Sequence, residues 1–245
     1  VFLSGFVLTV TPGKVGEVFK SAVLAETHGV PAARTAPIVF AERLTDVIGV
    51  IALIVIGSLG FSGGLVWAAV GTFGVLCGLL LVIWRAPGEA LIAWMKRRPG
   101  RLTALAPKLE ESFGSLRIVA SPSALIWPSL LSVLGWGAEG FALHLLVQGF
   151  GVHVPAPLAM FFYATATLAG AVIPVPGGLG VAEAMIQEQL VRLGRVPQSS
   201  ATSAMILIRF ATLWWAVVVG FVALAILRAR FPSLTRRGAD AELAQ

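Results

Sequence analysis

Apolar residues in this chain run in long blocks and do not alternate with polar ones. Four blocks, 36–59, 65–84, 124–147 and 199–227, are long enough to cross a bilayer as helices. A hydrocarbon core of ~30 Å needs about 20 apolar residues in helical form. Two further blocks are short or interrupted. The first, 1–10, ends at Thr11-Pro12-Gly13, and the second, 157–173, ends at Pro174-Val175-Pro176-Gly177-Gly178. Each is followed by a modest amphipathic stretch, 15–27 and 179–193. Both read as re-entrant hairpins: a partial helix entering, a Pro/Gly tip, and a short helix returning.

The two interrupted units share anchors. Thr11-Pro12-Gly13-Lys14-Val15-Gly16 parallels Val175-Pro176-Gly177-Gly178-Leu179-Gly180. A Val-Pro step follows each, at Val30-Pro31 and Val196-Pro197, and an arginine stands twelve residues beyond each proline, at Arg43 and Arg209. Pro/Gly-broken apolar segments at corresponding places in two halves point to the substrate site of a membrane transporter.

Composition supports a lipid-solvated exterior. Hydrophobic residues make up 57%, charged residues 12%, and the mean hydropathy is +0.90. A soluble domain carries about a quarter charged residues, so this chain has too little polar surface to cover a water-soluble globule. Strand-like alternation at about ten-residue spacing is missing, which argues against a transmembrane barrel. The expected class is an all-α polytopic membrane protein forming one domain over 1–231. Because Val1 lies inside an apolar block without a charged leader, the chain reads as N-terminally truncated.

Charge placement sets the expected topology. The net charge of +6 could suggest nucleic acid, but the cations flank apolar blocks, as the positive-inside rule describes. Segment 85–117 holds seven Lys/Arg, and the end of the chain adds Arg228, Arg230, Arg236 and Arg237. The loops 60–64 and 149–155 hold none. The long loop and the C-terminus are therefore expected in the cytoplasm, which gives the two hairpin units opposite orientations: an inverted repeat. Arg192 and Arg195 fall on the outer side in this scheme. Within 85–122, Leu102, Leu105, Leu109, Phe113 and Leu116 follow helical spacing, which predicts an amphipathic connector at the cytoplasmic interface. Residues 232–245 are polar and expected to be disordered.

The candidate chemistry is ionic. Cys77 is the sole cysteine and His28, His144 and His153 are scattered, so no disulfide, metal site or cofactor is expected. Ionisable groups within a bilayer face a bundle interior or a wet cavity. Lys14, Arg43 and Arg209 are the candidate contacts to a lipid phosphate; Glu17, Glu42, Asp46, Glu139 and Glu183 are their candidate charge partners. Arg43 and Asp46 stand i,i+3 and can pair, whereas Arg209 has no acid within four residues, leaving Glu183 or Glu139 across the bundle. Gly13, Gly16, Gly177, Gly178 and Gly180 let a headgroup approach the backbone at the tips. The unpaired N–H groups of a helix starting there favour an anion.

The motifs that carry these residues resemble a known family, the membrane domain of lysylphosphatidylglycerol synthases, also called flippase-like integral membrane proteins. They are Thr11-Pro12-Gly13-x-x-Gly16-Glu17, Glu42-Arg43-Leu44-x-Asp46, Trp136-x-x-Glu139-Gly140 and Leu168-Ala169-Gly170-x-x-Ile173-Pro174-x-Pro176-Gly177-Gly178-Leu179-Gly180-x-x-Glu183. The resemblance implies movement of an anionic or aminoacylated phospholipid, or of a polyprenyl-phosphate lipid, between leaflets of a bacterial inner membrane. Members that aminoacylate lipid use a separate soluble domain, and nothing of that kind is present in this sequence, so lipid aminoacylation is not inferred; the leading expectation is a translocase, not an enzyme. The alternatives are a non-catalytic accessory subunit of a lipid-modifying glycosyltransferase, partnering that enzyme, and an ion-coupled carrier of small solutes.

Overall fold

A computed structural model of the chain describes residues 1–11, 19–59, 121–173 and 175–231, with isolated positions at 66, 69, 73, 93 and 94. The first tip (Gly13, Lys14, Gly16, Glu17), most of the expected 65–84 span, the connector before Ser121 and the tail 232–245 lie outside the described residues.

The described chain is helical, with no strand among the described residues. A 3-10 helix, Leu3–Leu8, is followed by α1 (Phe19–His28), α2 (Ala32–Ser58), α3 (Pro122–Gly149) and α4 (Ala156–Val172). A 3-10 turn, Pro176–Gly178, then leads to α5 (Val181–Arg192) and α6 (Gln198–Arg209). A π-helical segment, Phe210–Trp214, runs on into α7 (Trp215–Arg230). Prolines mark most of the starts: Pro31, Pro155 and Pro197 are N-caps, and Pro122 opens α3. Proline presets the φ of a first turn and lacks only an N–H that the helix could not use.

The expected 124–147 and 199–227 spans correspond to Ser123–Gly149 and Gln198–Arg230, both long and apolar enough to cross a membrane. Their surfaces separate them from the core helices of a soluble protein. Leu131, Leu134, Phe210, Trp215, Phe221 and Ile226 are all exposed, as lipid-facing positions are. The 36–59 block folds as α2, whose 27 residues span ~40 Å at 1.5 Å per residue. Its first half carries Arg34, Glu42, Arg43 and Asp46, and its second half is apolar.

The core sits where α3, α4, α5 and α6 meet. Leu143, Val147, Phe162, Ile186, Leu190 and Ile208 are buried there, and α2 packs across α3 and α4. Gly140 faces Met160 closely, and Gly49 faces Ser132. The 3-10 helix lies along α7, where a Cβ on Gly220 would overlap the Val7 and Phe6 backbone. Small residues of this kind let helices approach when lipid offers no hydrophobic drive to associate.

Two helix pairs match in detail. α1 leads through Gly29-Val30-Pro31 into α2, and α5 leads through Arg195-Val196-Pro197 into α6. In each, the residue two before the proline has positive φ: Gly29 at 68° and Arg195 at 52°. Each short helix is also tied to the long helix after it by an ion pair, Lys20–Glu42 (3.3 Å) in the first and Glu183–Arg209 (2.5 Å) in the second. The cation stands on the short helix in one pair and on the long helix in the other.

Candidate functional site

A cavity of about 450 Å³ opens between these elements. Its walls come from the 3-10 helix, α2, α3, α4, the Pro176–Gly178 turn and the α6–α7 helix, and its lining includes Arg43, Asp46, Glu139, Gly177, Gly178 and Arg209. These six come from four separate stretches of sequence, and each was a candidate on sequence grounds.

Arg209 sits on one side. Its Nε donates to Glu183 Oε1 at 2.5 Å and its Nη2 to the Gly177 carbonyl oxygen at 2.9 Å. Glu183 Oε2 accepts the Gly180 N–H at 2.6 Å. Glu183 is the third residue of α5, so its carboxylate also reaches the unpaired amides of a helix start. A single chain of charge-assisted bonds therefore runs from α6 through α5 to the glycine tip. The tip needs its glycines: φ is 61° at Gly177, 68° at Gly178 and 84° at Gly180, a region that costs other residues roughly 1–2 kcal/mol. Gly170 on α4 completes the turn, because a Cβ there would stand 3.1 Å from the Gly178 Cα.

Arg43 lines the same cavity from α2. Its Nη2 is 3.0 Å from Asp46 Oδ2. Asp46 Oδ1 accepts Ser132 Oγ–H at 2.9 Å and Trp136 Nε1–H at 3.2 Å. The carboxylate thus fixes Arg43 on α2 and ties α2 to α3. Tyr163 also lines the cavity and donates to Glu139 Oε2 at 2.6 Å. Thr9 Oγ1, on the remaining wall, is buried without a hydrogen-bond partner among the described residues.

Of the other sequence candidates, Glu183 and Gly180 belong to the Arg209 network, although they do not line the cavity. Glu42 pairs with Lys20, a residue not singled out from sequence. Lys20 is 7% exposed, and its ammonium stands 4.3 Å from the Phe2 ring centroid, so the side chain fastens the 3-10 helix to α1 and α2. Lys14, Glu17, Gly13 and Gly16 lie outside the described residues. Arg192, a misfit on the outer side of the charge scheme, pairs with Glu188 on its own helix.

Sequence reasoning passed over Tyr163, Ser132, Thr9 and Thr212, which line or support the cavity. Two signals were available. Tyr163 is the only tyrosine of the chain, and it falls in an otherwise apolar block. Ser132, Trp136 and Glu139 are spaced i, i+4 and i+7, a polar stripe on one helix face. The described residues include no group of three or more His, Cys, Asp or Glu that could hold a metal ion.

An apolar, exposed exterior around an internal cavity of paired charges defines a helical membrane protein with a polar interior site. Residues 1–220 match the family described as the lysylphosphatidylglycerol synthase TM region, and the chain belongs to that family. It is also 23% identical over 226 residues to a UPF0104 membrane protein of Methanocaldococcus jannaschii, covering 91% of this chain and 94% of the relative. No solved structure matches the chain.

Proposed function

We propose that the protein is a lipid translocase or lipid-binding transporter whose cavity receives the phosphate of an anionic phospholipid or polyprenyl-phosphate lipid. The observation that carries this reading is that two arginines from different helices, Arg43 and Arg209, line one cavity inside a bundle with apolar outer faces. Removing a buried cation's counter-charge is costly. A headgroup phosphate can take over that role from Asp46 or Glu183 without leaving a bare guanidinium. It also provides two oxygens that the planar guanidinium fork can engage in a bidentate manner. The acyl chains remain in lipid throughout.

The α4–tip–α5 hairpin enters the bilayer and returns, and the N-terminal unit does so from the other side. The matched turns before Pro31 and Pro197 support descent of the two units from one repeat in opposite orientation. Alternating exposure of the cavity then moves the headgroup between leaflets. The membrane is a bacterial inner membrane, with the Arg-rich C-terminus on the cytoplasmic side. The role is transport, in which Asp46, Glu139 and Glu183, each held by a donor of the protein itself, serve as counter-charges.

Quantitative mass spectrometry of lipid extracted from the purified protein tests this. The wild type retains a phosphate-bearing lipid in near-stoichiometric amount, and Arg43→Ala and Arg209→Ala each lose it. A phosphate-lipid content that is the same in all three proteins contradicts the reading.

A further inference from the structure

A second hollow, of about 400 Å³, lies between the 3-10 helix, the start of α1 and the C-terminal half of α7. Its lining is Val7, Leu8, Phe19, Phe221, Leu224, Ala225 and one charged residue, Arg228. The α7 contributors stand at i, i+3, i+4 and i+7, a single helix face. Twelve residues earlier, the same continuous helix lines the headgroup cavity with Arg209, Thr212, Leu213 and Ala216 at identical spacing. The 3-10 helix is shared as well: Phe6 and Thr9 face the cavity, and Val7 and Leu8 face the groove. Between the two hollows the 3-10 backbone rests on Gly220.

The cations differ in a way that points to a ligand. Arg43 and Arg209 are paired with carboxylates. Arg228 is exposed and has no ion pair among the described residues. It stands at the end of an apolar groove, in the last turn of a helix that crosses the membrane. One occupant satisfies both features: an acyl chain in the groove, with the phosphate of the same lipid at Arg228.

We propose that this groove is a loading site for an anionic phospholipid, separate from the cavity and one step ahead of it. It rests on the translocase reading only for the word loading; the lipid site itself does not. Burying a chain in the groove gains little over bulk lipid, because lipid tails are as apolar as the groove wall. Selectivity therefore comes from Arg228, and anionic lipid is preferred to zwitterionic lipid. The contact at Gly220 is the partition a headgroup passes on its way from the groove to the cavity.

The test is photolabelling of the full chain in phosphatidylcholine vesicles doped with phosphatidylglycerol carrying a diazirine in one acyl chain. The same label on phosphatidylcholine is the comparison. Labelled residues are located by peptide mass spectrometry. Phosphatidylglycerol should label Phe221, Leu224 and Ala225 above the exposed face of α3 at Leu131 and Leu134, which reports ordinary boundary lipid. Arg228→Gln, at an exposed position, should lower groove labelling by phosphatidylglycerol about fivefold, the worth of one arginine near anionic lipid, and leave phosphatidylcholine labelling unchanged. Leu224→Trp, which fills the groove, should lower both. Equal labelling of groove and α3 face, or an Arg228→Gln protein that labels as the wild type does, overturns the proposal. Groove labelling that persists in Arg43→Ala and Arg209→Ala proteins supports it, whether or not those proteins move lipid.

Discussion

Arg209 donates to two acceptors that differ in kind. Glu183 is a charge partner, and the Gly177 carbonyl belongs to the turn that closes the hairpin. The residue therefore holds the tip in place as well as facing the cavity, and substitutions can separate the two roles. Glu183→Gln removes the counter-charge of a guanidinium that is 11% exposed. Removing one partner of a buried pair costs about 3–5 kcal/mol; the remaining exposure puts this pair at the lower end. Replacing both partners with apolar residues, Glu183→Leu with Arg209→Met, leaves no stranded charge and should recover most of that loss. Thermal unfolding in detergent checks the stability of the three proteins, and lipid extraction checks the ligand. The double variant should be more stable than Glu183→Gln but short of the wild type, because the bonds to the Gly177 carbonyl and the Gly180 N–H are lost, and it should be empty of phosphate lipid. A double variant that keeps its lipid would make Arg209 structural only.

At the scale of elements, the hairpin α4–tip–α5 depends on backbone conformations available to glycine. Gly178 combines φ of 68° with a close approach to the Gly170 backbone. Gly29 has the same φ, but a Cβ there would meet nothing within 4 Å. Gly29→Ala should therefore cost only the conformational term, roughly 1–2 kcal/mol. Gly178→Val adds a clash with α4 and should open the hairpin. Cysteine pairs bridging α4 and α5 in a Cys77→Ser background report this: crosslinking survives Gly29→Ala and is lost in Gly178→Val. The sequence made these elements legible to different degrees. Apolar block length placed α3 and the α6–α7 helix within a few residues, and the Pro-Gly-Gly turn placed the second tip. The π-helical segment Phe210–Trp214 left no trace in the pattern, because its five residues are apolar or small and continue the block. The 3-10 form of Leu3–Leu8 was equally hidden. The cavity's ionic residues were legible because a charge in an apolar block is rare. Lys20 was not, because its role arises from contacts between distant segments, with Phe2 and Glu42; Tyr163 could be singled out as the sole tyrosine, but not its bond to Glu139.

For the whole molecule, the distribution of surfaces decides the account. Apolar faces of α3, α6 and α7 point outward, while Arg43, Asp46, Glu139 and Arg209 converge within. A translocase needs this inversion, with tails solvated by lipid and a headgroup solvated by protein. On the proposed reading a headgroup is handed between Arg43 and Arg209, which both line the cavity. Each arginine alone then leaves the path one cation short, and loss of either is as severe as loss of both. Reconstitution into vesicles containing a fluorescent phosphatidylglycerol, with an impermeant quencher added outside, measures this most directly. The wild type should expose inner-leaflet lipid to the quencher, and Arg43→Ala, Arg209→Ala and the double variant should all fall to the rate of protein-free vesicles while remaining folded. Folded single and double variants that move the lipid at the wild-type rate would contradict the central claim.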